Sequence, residues 1–488
     1  MTSDAPARFV IDLHAAACER LAQVECITLI TAGSATPCQV AVGLPLSYGQ
    51  RRRRYPLVIV FDAAAMAGSV IEMSRLMTDT KEVRACIVVA VRTPTPALLA
   101  LPGMSALLIE PLLDALTRRY RIDDRLVTVF AGGDGAAVPA LEAAADARLR
   151  VFGQRKHGVP AFVDALRTTL ATGVDYGRGM PALRRRLWTP VLRLLSPLMR
   201  RAMRPAAQPP ALAARHRLRS EVLDRDFEIF ASLPDEATPE RPVPALFVLD
   251  ASIEFSIVAE AARNLAAAGL IPPIAVIGVG VPRAEGHYGF AFRRFEEFSP
   301  PLDGYACDDD LGNIFRALFA LRGEDARARL GRAPGMLAFL ADELLPAIRH
   351  LPIDGDALGL LGHSAGATFV GYALHRPQSP FRDYIGVSPG IAISGDWLLR
   401  ALPTPSAEAP ARTARFVIGG EEKTNAFNII AGIPRTRIYV EHLRARGVDV
   451  RYACHDGETH SSVYPRAVEE ALRSVYAQSA TPPLRRTA

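Results

Sequence analysis

The sequence predicts an α/β fold, a mostly parallel sheet covered by helices, on the basis of three observations. First, short apolar runs such as residues 57–61 and 245–249 each precede a helix-like segment, which is typical of parallel strands buried on both faces. Second, the segments after these two runs align without a gap, so that Asp62 pairs with Asp250. Third, the apolar run before Gly362 leads into a glycine-rich turn and then a helix. We therefore predict one such sheet preceded by a smaller related lobe.

The repeat sets the predicted domain boundaries. They are a first copy at residues 1–175, a linker at 176–219, a second copy at 220–478 and a disordered tail at 479–488. In the first copy Gly133 occupies the position of Ser364, and the final matching block follows after far fewer residues than in the second copy. We therefore predict that the first lobe has lost its middle strands and is a degenerate, non-catalytic copy of the second.

The predicted linker is basic and is interrupted by Pro190 and Pro197. Apolar residues recur every three or four positions across residues 184–203, as in an amphipathic helix. Such a helix can lie on an anionic membrane surface. Packing against the protein's own lobes is the interpretation that we favour. The two lobes are expected to form an internal pseudo-dimer, and the whole chain a monomer or a homodimer.

Composition argues against several classes of protein. The 57 basic residues outnumber the 51 acidic residues only slightly and cluster in a few arginine runs, so nucleic acid is not a predicted partner. The six cysteines show no Cys-x-x-Cys spacing, which disfavours a disulfide framework and a metal site. The sequence has no signal-like N-terminal segment and no uncharged apolar run of about 18 residues, so the expected location is the cytoplasm.

The stretch Gly362-His-Ser-Ala-Gly366 has the G-x-S-x-G pattern of a nucleophile elbow, placed between an apolar strand and a helix. The turn is so tight that Ser364 must adopt a strained conformation, and side chains two positions before and after it would collide. The following helix points its free N–H groups at developing negative charge. This context predicts an α/β-hydrolase fold with Ser364 as the nucleophile. A serine that only caps the helix is the alternative.

A serine nucleophile needs a histidine base, and in α/β hydrolases the chain order is serine, acid, histidine. His460 falls in the loop after the last predicted strand, where the base is expected. His455, at the end of that strand, is the competing candidate. His363, next to the nucleophile, is expected to point away from Ser364. We therefore predict His460 as the base.

The acid of the triad is expected after the preceding strand, which ends at Gly419. Glu421 and Glu422 follow that strand, and either carboxylate could orient the imidazole and stabilise its charged form. Glu422 is preferred because of its spacing from Gly419. Asp396 and Asp456 are weaker alternatives.

The negative charge that develops in acyl transfer needs N–H donors, which form an oxyanion hole. One donor is predicted at Ala365, the residue after the nucleophile. The second is predicted at Ala251, in the loop after the apolar run 245–249.

Several motifs together resemble the esterase D-like family of α/β hydrolases. They are Phe247-Val-Leu-Asp-Ala, Arg293-Arg-Phe-Glu-Glu-Phe-Ser-Pro, Gly362-His-Ser-Ala-Gly, Val387-Ser-Pro-Gly and Gly457-Glu-Thr-His. The family includes S-formylglutathione hydrolases, mycolyltransferases and siderophore (enterochelin-type) esterases, and the chain resembles the siderophore esterases most. The resemblance implies cleavage of an ester or thioester, or acyl transfer, without a metal or organic cofactor. Ala251 departs from the pattern, since the family often has glycine there.

The resemblance also implies a small-molecule ester substrate, such as a siderophore or another natural-product ester. The residues predicted to bind it, near the expected pocket, are Arg283, Arg293, Arg294 and Trp397. Ion pairs between these arginines and Glu296 or Glu297 are the alternative. Two other functions stay open at this point: acyl transfer from the same acyl-enzyme to an acceptor other than water, and a catalytically silent scaffold that only binds.

Overall fold

The computed structural model describes residues 24–29, 38–45, 47–48, 53–61, 67–80, 82–92, 112–113, 115–131, 149–153, 159–170, 216–402, 412–423 and 432–476. The described residues up to Leu170 belong to one compact unit, and those from His216 onwards belong to another. Gly133, most of the predicted linker with its amphipathic segment, and the predicted tail lie outside the described residues.

The N-terminal unit contains a six-stranded sheet with the order β1-β2-β4-β3-β5-β6. Its strands are β1 (Val24–Leu29), β2 (Cys38–Gly43), β3 (Tyr55–Phe61), β4 (Ile87–Arg92), β5 (Ile122–Ala131) and β6 (Leu149–Gly153). Strands β3 to β6 are parallel, whereas β1 and β2 are antiparallel to their neighbours. Strand β3 is buried along its whole length, which explains its continuous apolar sequence.

The C-terminal unit contains an eight-stranded sheet with the order β14-β13-β12-β11-β9-β10-β8-β7. Its strands are β7 (Arg217–Ser220), β8 (Arg225–Ser232), β9 (Val243–Val248), β10 (Ala275–Gly280), β11 (Ile353–His363), β12 (Asp383–Val387), β13 (Thr413–Gly419) and β14 (Asp449–His455). Strands β9 to β14 are parallel, and β8 is antiparallel to both β7 and β10. This order and these directions are those of an α/β hydrolase, so the predicted fold class is confirmed.

Counted from β1 and β7, the strand order of the first sheet matches that of the second as far as β6 and β12. Thus β5 pairs with β3 and β6 as β11 pairs with β9 and β12. The final matching block of the repeat, residues 149–157 in the first copy and 450–460 in the second, contains β6 and most of β14. In the sheet, however, β6 occupies the place of β12. In the part of the first unit that the structure describes, the sheet has no counterpart of β13 and β14. Those two strands precede the predicted acid and the predicted histidine.

The described helices of the N-terminal unit include α1 (Ala67–Asp79) and α2 (Val159–Leu170). Those of the C-terminal unit are α3 (Ala251–Ala267), α4 (Gly286–Phe298), α5 (Asp310–Ala320), α6 (Ala326–Arg329), α7 (Ala333–Ala338), α8 (Leu345–Ile348), α9 (Ala365–Leu374), α10 (Ile393–Arg400), α11 (Ile433–Arg444) and α12 (Val463–Tyr476). Helix α3 packs on β8, β9 and β10 and on α12, whereas α9 packs on β11 and β12 and on α4. Helices α3 and α9, with the helices that they contact, cover the apolar strands of the sheet and complete the core.

Strand β7 begins at Arg217, inside the predicted linker. It pairs antiparallel with β8, so that Arg217 lies opposite Glu228 and Ser220 lies opposite Arg225. The end of the predicted linker therefore contributes basic residues to β7, which is an edge strand of the described C-terminal sheet because it stands last in the strand order.

Among the described helices, none combines the length and the apolar character that crossing a bilayer requires.

His375, at the end of α9, is a buried histidine whose two ring nitrogens both have partners. Nδ1 donates to the carbonyl oxygen of Ala401 at 2.9 Å, and Nε2 accepts from the Tyr439 hydroxyl at 2.8 Å. Burial lowers the pKa of His375 to about 3, although the Ala401 carbonyl opposes this effect. The side chain is therefore neutral in the folded protein across the physiological range.

Because the unfolded chain binds a proton at His375 near pH 6.5 and the folded chain does not, this histidine stabilises the fold fully above that pH. The contribution falls as the pH drops towards 3. At pH 5.5 we expect a loss of about 1.4 kcal/mol from this group. Urea unfolding at pH 7.5 and 5.5 measures it, with His375→Gln as the control. An unchanged free-energy difference between variant and wild type at the two pH values would contradict the assignment.

Candidate active site

Ser364 lies in the tight turn between β11 and α9, as the elbow pattern predicts. Its backbone has φ 57 and ψ −116, a strained conformation for a residue with a side chain. A Cβ atom on Gly362 would lie 2.4 Å from the carbonyl carbon of Gly366, so the turn excludes any larger residue there. The backbone N–H of Ser364 donates to Val387 of the neighbouring strand at 2.8 Å. Ser364 is thus held by the sheet on one side and by the helix on the other, where its carbonyl oxygen accepts from the Thr368 N–H.

His460 and Glu422 meet at the ends of β13 and β14. Nδ1 of His460 lies 2.9 Å from Oε2 of Glu422, and both side chains are buried. The other carboxylate oxygen, Oε1, accepts hydrogen bonds from the Ser388 hydroxyl at 2.6 Å and the Gly419 N–H at 3.0 Å. Glu421 is partly exposed, and its backbone N–H bonds to Glu458. The geometry therefore supports Glu422 over Glu421 as the acid.

The surroundings of Glu422 stabilise its ionised form. Burial alone would raise the pKa of this carboxyl. The charge and hydrogen bond of His460, together with the hydrogen bonds from Ser388 and Gly419, outweigh burial and lower the pKa. A carboxylate that stays ionised can hold the imidazole of His460 in one tautomer and stabilise its protonated form.

The other titratable candidates have partners elsewhere. Nε2 of His455 lies 2.9 Å from Glu470, and Asp396 forms an ion pair with Arg435 at 3.0 Å. Asp456 is exposed. These contacts are consistent with the preference for His460 and Glu422.

Two glycines allow the loop of His460 to lie directly on the loop of Glu422. A Cβ atom on Gly419 would lie 2.6 Å from the carbonyl oxygens of Glu458 and Thr459, and one on Gly420 would lie 2.9 Å from the Cα atom of Asp456. Larger residues at either position would push the histidine away from the acid. The two glycines at the end of β13 are therefore part of the site geometry.

The predicted oxyanion-hole residues begin two neighbouring helices. Ala251 is the first residue of α3 and Ala365 is the first residue of α9, and both are buried. A Cβ atom on Gly366 would lie only 3.3 Å from Oδ2 of Asp250, so the two helix starts adjoin. Helix N-termini offer free N–H groups to an anion. This arrangement supports both predicted donors.

The methyl group of Ala251, where the resembling family often has glycine, is accommodated by a second glycine. A Cβ atom on Gly278 of β10 would lie 2.7 Å from the Cβ atom of Ala251. Since position 278 has no side chain, the loop before α3 does not have to move.

Asp250 and Arg294 form a buried ion pair beside the elbow. Nη2 of Arg294 lies 2.7 Å from Oδ2 of Asp250 and also donates to the His363 carbonyl at 3.2 Å. Burial raises the pKa of Asp250, although Arg294 opposes this effect. Arg294 was predicted to bind substrate, but here it ties the loop before α3 to the elbow.

Arg293 and Trp397, which were also predicted to bind substrate, are both buried in contacts with protein groups. Arg293 lies 2.8 Å from Glu297 and also bonds to Glu285, which matches the alternative of an ion pair. Trp397 is packed in the core, where its indole N–H donates to Asp303 at 2.7 Å. Arg283 begins a short 3₁₀ turn, and its side chain lies outside the described residues.

Sequence reasoning assigned no role to Ser388 or Glu254. Ser388 belongs to the motif Val387-Ser-Pro-Gly, but nothing in that motif predicts a hydrogen bond to Glu422. Glu254 lies on α3, and Oε1 of its carboxyl group is 2.9 Å from Nδ1 of His363.

Within the described ranges, no group of three or more histidine, cysteine, aspartate or glutamate side chains is placed to hold a metal ion.

Comparison with known proteins gives one significant curated relative. It is the ferri-bacillibactin esterase BesA of Bacillus subtilis (strain 168), which is 26% identical over 272 residues, 51% of this chain and 84% of BesA. No protein-family model matches the chain. The curated relative confirms the predicted resemblance to siderophore esterases and the enzyme class that it implies, an esterase.

Similar solved structures include the BES protein from Bacillus cereus and the siderophore hydrolase EstB from Aspergillus nidulans. The first is 20% identical, with a TM-score of 0.43, and the match covers 54% of this chain and 94% of that chain. The second is 19% identical, with a TM-score of 0.43, and the match covers 55% of this chain and 95% of that chain.

Proposed function

We propose that this relative of the siderophore esterases is a serine hydrolase that cleaves an ester of siderophore type with Ser364, His460 and Glu422. The observation that carries the proposal is the buried contact of 2.9 Å between His460 and Glu422, on the loops that follow the last two strands. This contact accompanies a serine in the strained conformation of a nucleophile elbow.

The contacts of His460 support one direction of proton transfer. Nδ1 faces the carboxylate of Glu422, which only accepts, so Nδ1 carries a proton and Nε2 is the basic nitrogen. In the proposed reaction Nε2 takes the proton of the Ser364 hydroxyl while the serine oxygen attacks the ester carbonyl. The resulting imidazolium is stabilised by Glu422 and then protonates the leaving alcohol.

The second half of the reaction uses the same groups. His460 deprotonates a water molecule, which attacks the acyl-enzyme and releases the acid product and Ser364. The backbone N–H groups of Ala251 and Ala365 stabilise the oxyanion in both halves, and loss of one such donor typically costs about 3 kcal/mol in the barrier.

The proposal is tested by hydrolysis of p-nitrophenyl butyrate and of a catecholate siderophore trilactone, with wild type and Ser364→Ala. We expect turnover of both esters by the wild type and a decrease of about 10⁴-fold or more in the variant. Because the hydroxyl is the nucleophile, a fluorophosphonate should label only the wild type. Equal turnover in the two proteins would contradict the proposed role of Ser364, and no turnover by either would favour a scaffold that only binds.

Product analysis with an added alcohol separates hydrolysis from acyl transfer. Hydrolysis predicts the free acid as the main product in the presence of the alcohol. A new ester as the main product would show that the acyl-enzyme reacts with an acceptor other than water.

A further inference from the structure

His363, the residue before the nucleophile, is buried and has a partner on each ring nitrogen. Nδ1 lies 2.9 Å from Oε1 of Glu254 on α3, and Nε2 lies 2.9 Å from the backbone carbonyl oxygen of His460. Its ring also packs against the ring of His460 at 4.8 Å and against that of Tyr464 at 4.9 Å. One side chain thus connects three parts of the catalytic unit: α3, the elbow and the loop of the catalytic histidine.

The partners of His363 determine where its hydrogens lie. A backbone carbonyl only accepts hydrogen bonds, so Nε2 must carry a hydrogen and donate it to His460. The contact between Nδ1 and Glu254 then contains one hydrogen, which resides either on the imidazole or on the carboxyl group. Both hydrogen bonds exist in either case, and the bond to His460 is the same whether the His363–Glu254 pair is ionic or neutral.

Glu254 is a costly residue for this position. Its side chain is fully buried, and within the described part of the chain its second oxygen, Oε2, has no hydrogen-bond partner. An unsatisfied buried oxygen of this kind lowers stability. The presence of a carboxyl group at this position is therefore better explained by its contact with His363 than by a contribution to the stability of the fold.

The two copies of the repeat differ at these positions. By the alignments that pair Asp62 with Asp250 and Gly135 with Gly366, the first copy has Met66 opposite Glu254 and Gly132 opposite His363. It keeps another buried acid, since Glu72 lies opposite Glu260. The copy without a serine nucleophile thus lacks this pair, although it retains an acid on the equivalent helix.

We propose that Glu254 and His363 are positioning residues that hold the main chain of His460, so that its imidazole stays aligned between Glu422 and the nucleophile. This inference rests on the proposed catalytic role of His460. The side chain of His460 is fixed by Glu422 and its carbonyl by His363, so the base is held at two points. Removal of one point lets the ring move, and misplacement of a catalytic group by about 1 Å can cost about 100-fold in rate.

The test compares kcat and KM of His363→Phe, Glu254→Leu and Glu254→Gln for p-nitrophenyl butyrate, per active site titrated with a fluorophosphonate. Phenylalanine retains the ring contacts but makes neither hydrogen bond, so we expect kcat to fall about 10- to 100-fold with KM within about threefold. Glu254→Leu should show a similar loss. In Glu254→Gln the amide donates to Nδ1 while Nε2 still donates to His460, so kcat should recover to within about threefold of wild type.

The matched control is His375→Phe, another buried histidine with both nitrogens bonded but no contact with the triad. It should lose stability and keep its kcat per titrated site. If His363→Phe also kept its kcat, within about twofold, the positioning role would be wrong.

Nitrogen-15 NMR of the histidine rings provides a readout that does not require activity. In the wild type, Nε2 of His363 should carry a proton that exchanges slowly with water, because it is buried and bonded to a carbonyl. In His363→Phe the signals of His460 should shift or broaden. If the wild type proved no more active than Ser364→Ala, the proposed function would fail, and unchanged His460 signals in His363→Phe would separately overturn the positioning role.

Discussion

Replacement of His460 by glutamine is expected to lower kcat for ester hydrolysis by about 10⁴- to 10⁶-fold, while the protein stays folded. Glutamine can donate to Glu422 in place of Nδ1, but it offers no basic nitrogen to the Ser364 hydroxyl. An unassisted hydroxyl is a poor nucleophile at neutral pH. Steady-state kinetics with p-nitrophenyl butyrate measures the loss, and circular dichroism with thermal unfolding verifies the fold.

The control for this variant is His455→Gln, which changes the other histidine near the end of β14. His455 contacts Glu470, away from the triad. Its replacement should change kcat by no more than about twofold, as is usual for a partly exposed residue without a catalytic contact. A large loss in His455→Gln together with a small loss in His460→Gln would reassign the base.

Replacement of Glu422 by glutamine should lower kcat by about 10³- to 10⁴-fold. The three groups around this carboxylate, His460, Ser388 and the Gly419 N–H, all donate to it. A glutamine has one acceptor oxygen, so its amide NH₂ must face at least one of these donors. His460 then loses the partner that selects its tautomer, or the loop shifts to avoid the clash.

Glu421→Gln is the matched control, because it makes the same chemical change one residue earlier. The Glu421 side chain is partly exposed, so its kcat should remain within about twofold of wild type. Comparable losses of kcat in the two variants would contradict the choice of Glu422.

The pH dependence of the free energy of unfolding gives a second measurement. The contacts of Glu422 hold its pKa below the ordinary value of 4.5. The wild type should therefore keep this acid ionised down to that pH, and should lose the stability that the ionised acid provides only in stronger acid.

The members of the candidate triad could be proposed from local sequence, because each of them follows a strand. The elbow shows as an apolar strand, a turn with Gly362 and a helix, and these elements are adjacent in the chain. Glu422 and His460 follow consecutive parallel strands, whose carboxyl ends meet at one edge of the sheet. Because β13 and β14 pair in parallel, Glu422 and His460, which follow them, come into contact.

The residues proposed to position the candidate triad were not predictable, because their contacts depend on tertiary packing. Glu254 reaches His363 from a helix far away in the sequence, and no spacing rule connects them. Arg293 and Arg294 are neighbours on α4 and point to different partners, one to Glu297 and the other to Asp250. Only the orientation of α4 on the sheet decides which of the two arginines lies near the elbow.

The order of the second sheet also constrains how the protein is made. Val248 of β9 pairs with Leu361 of β11, about 110 residues further along the chain, so a long loop has to close before this pair forms. Such non-local pairing slows folding relative to a helical protein of the same length. His460 lies later still, in the loop after β14. A chain emerging from the ribosome is therefore expected to remain inactive until the loop after β14 has been synthesised, even though Ser364 has already emerged.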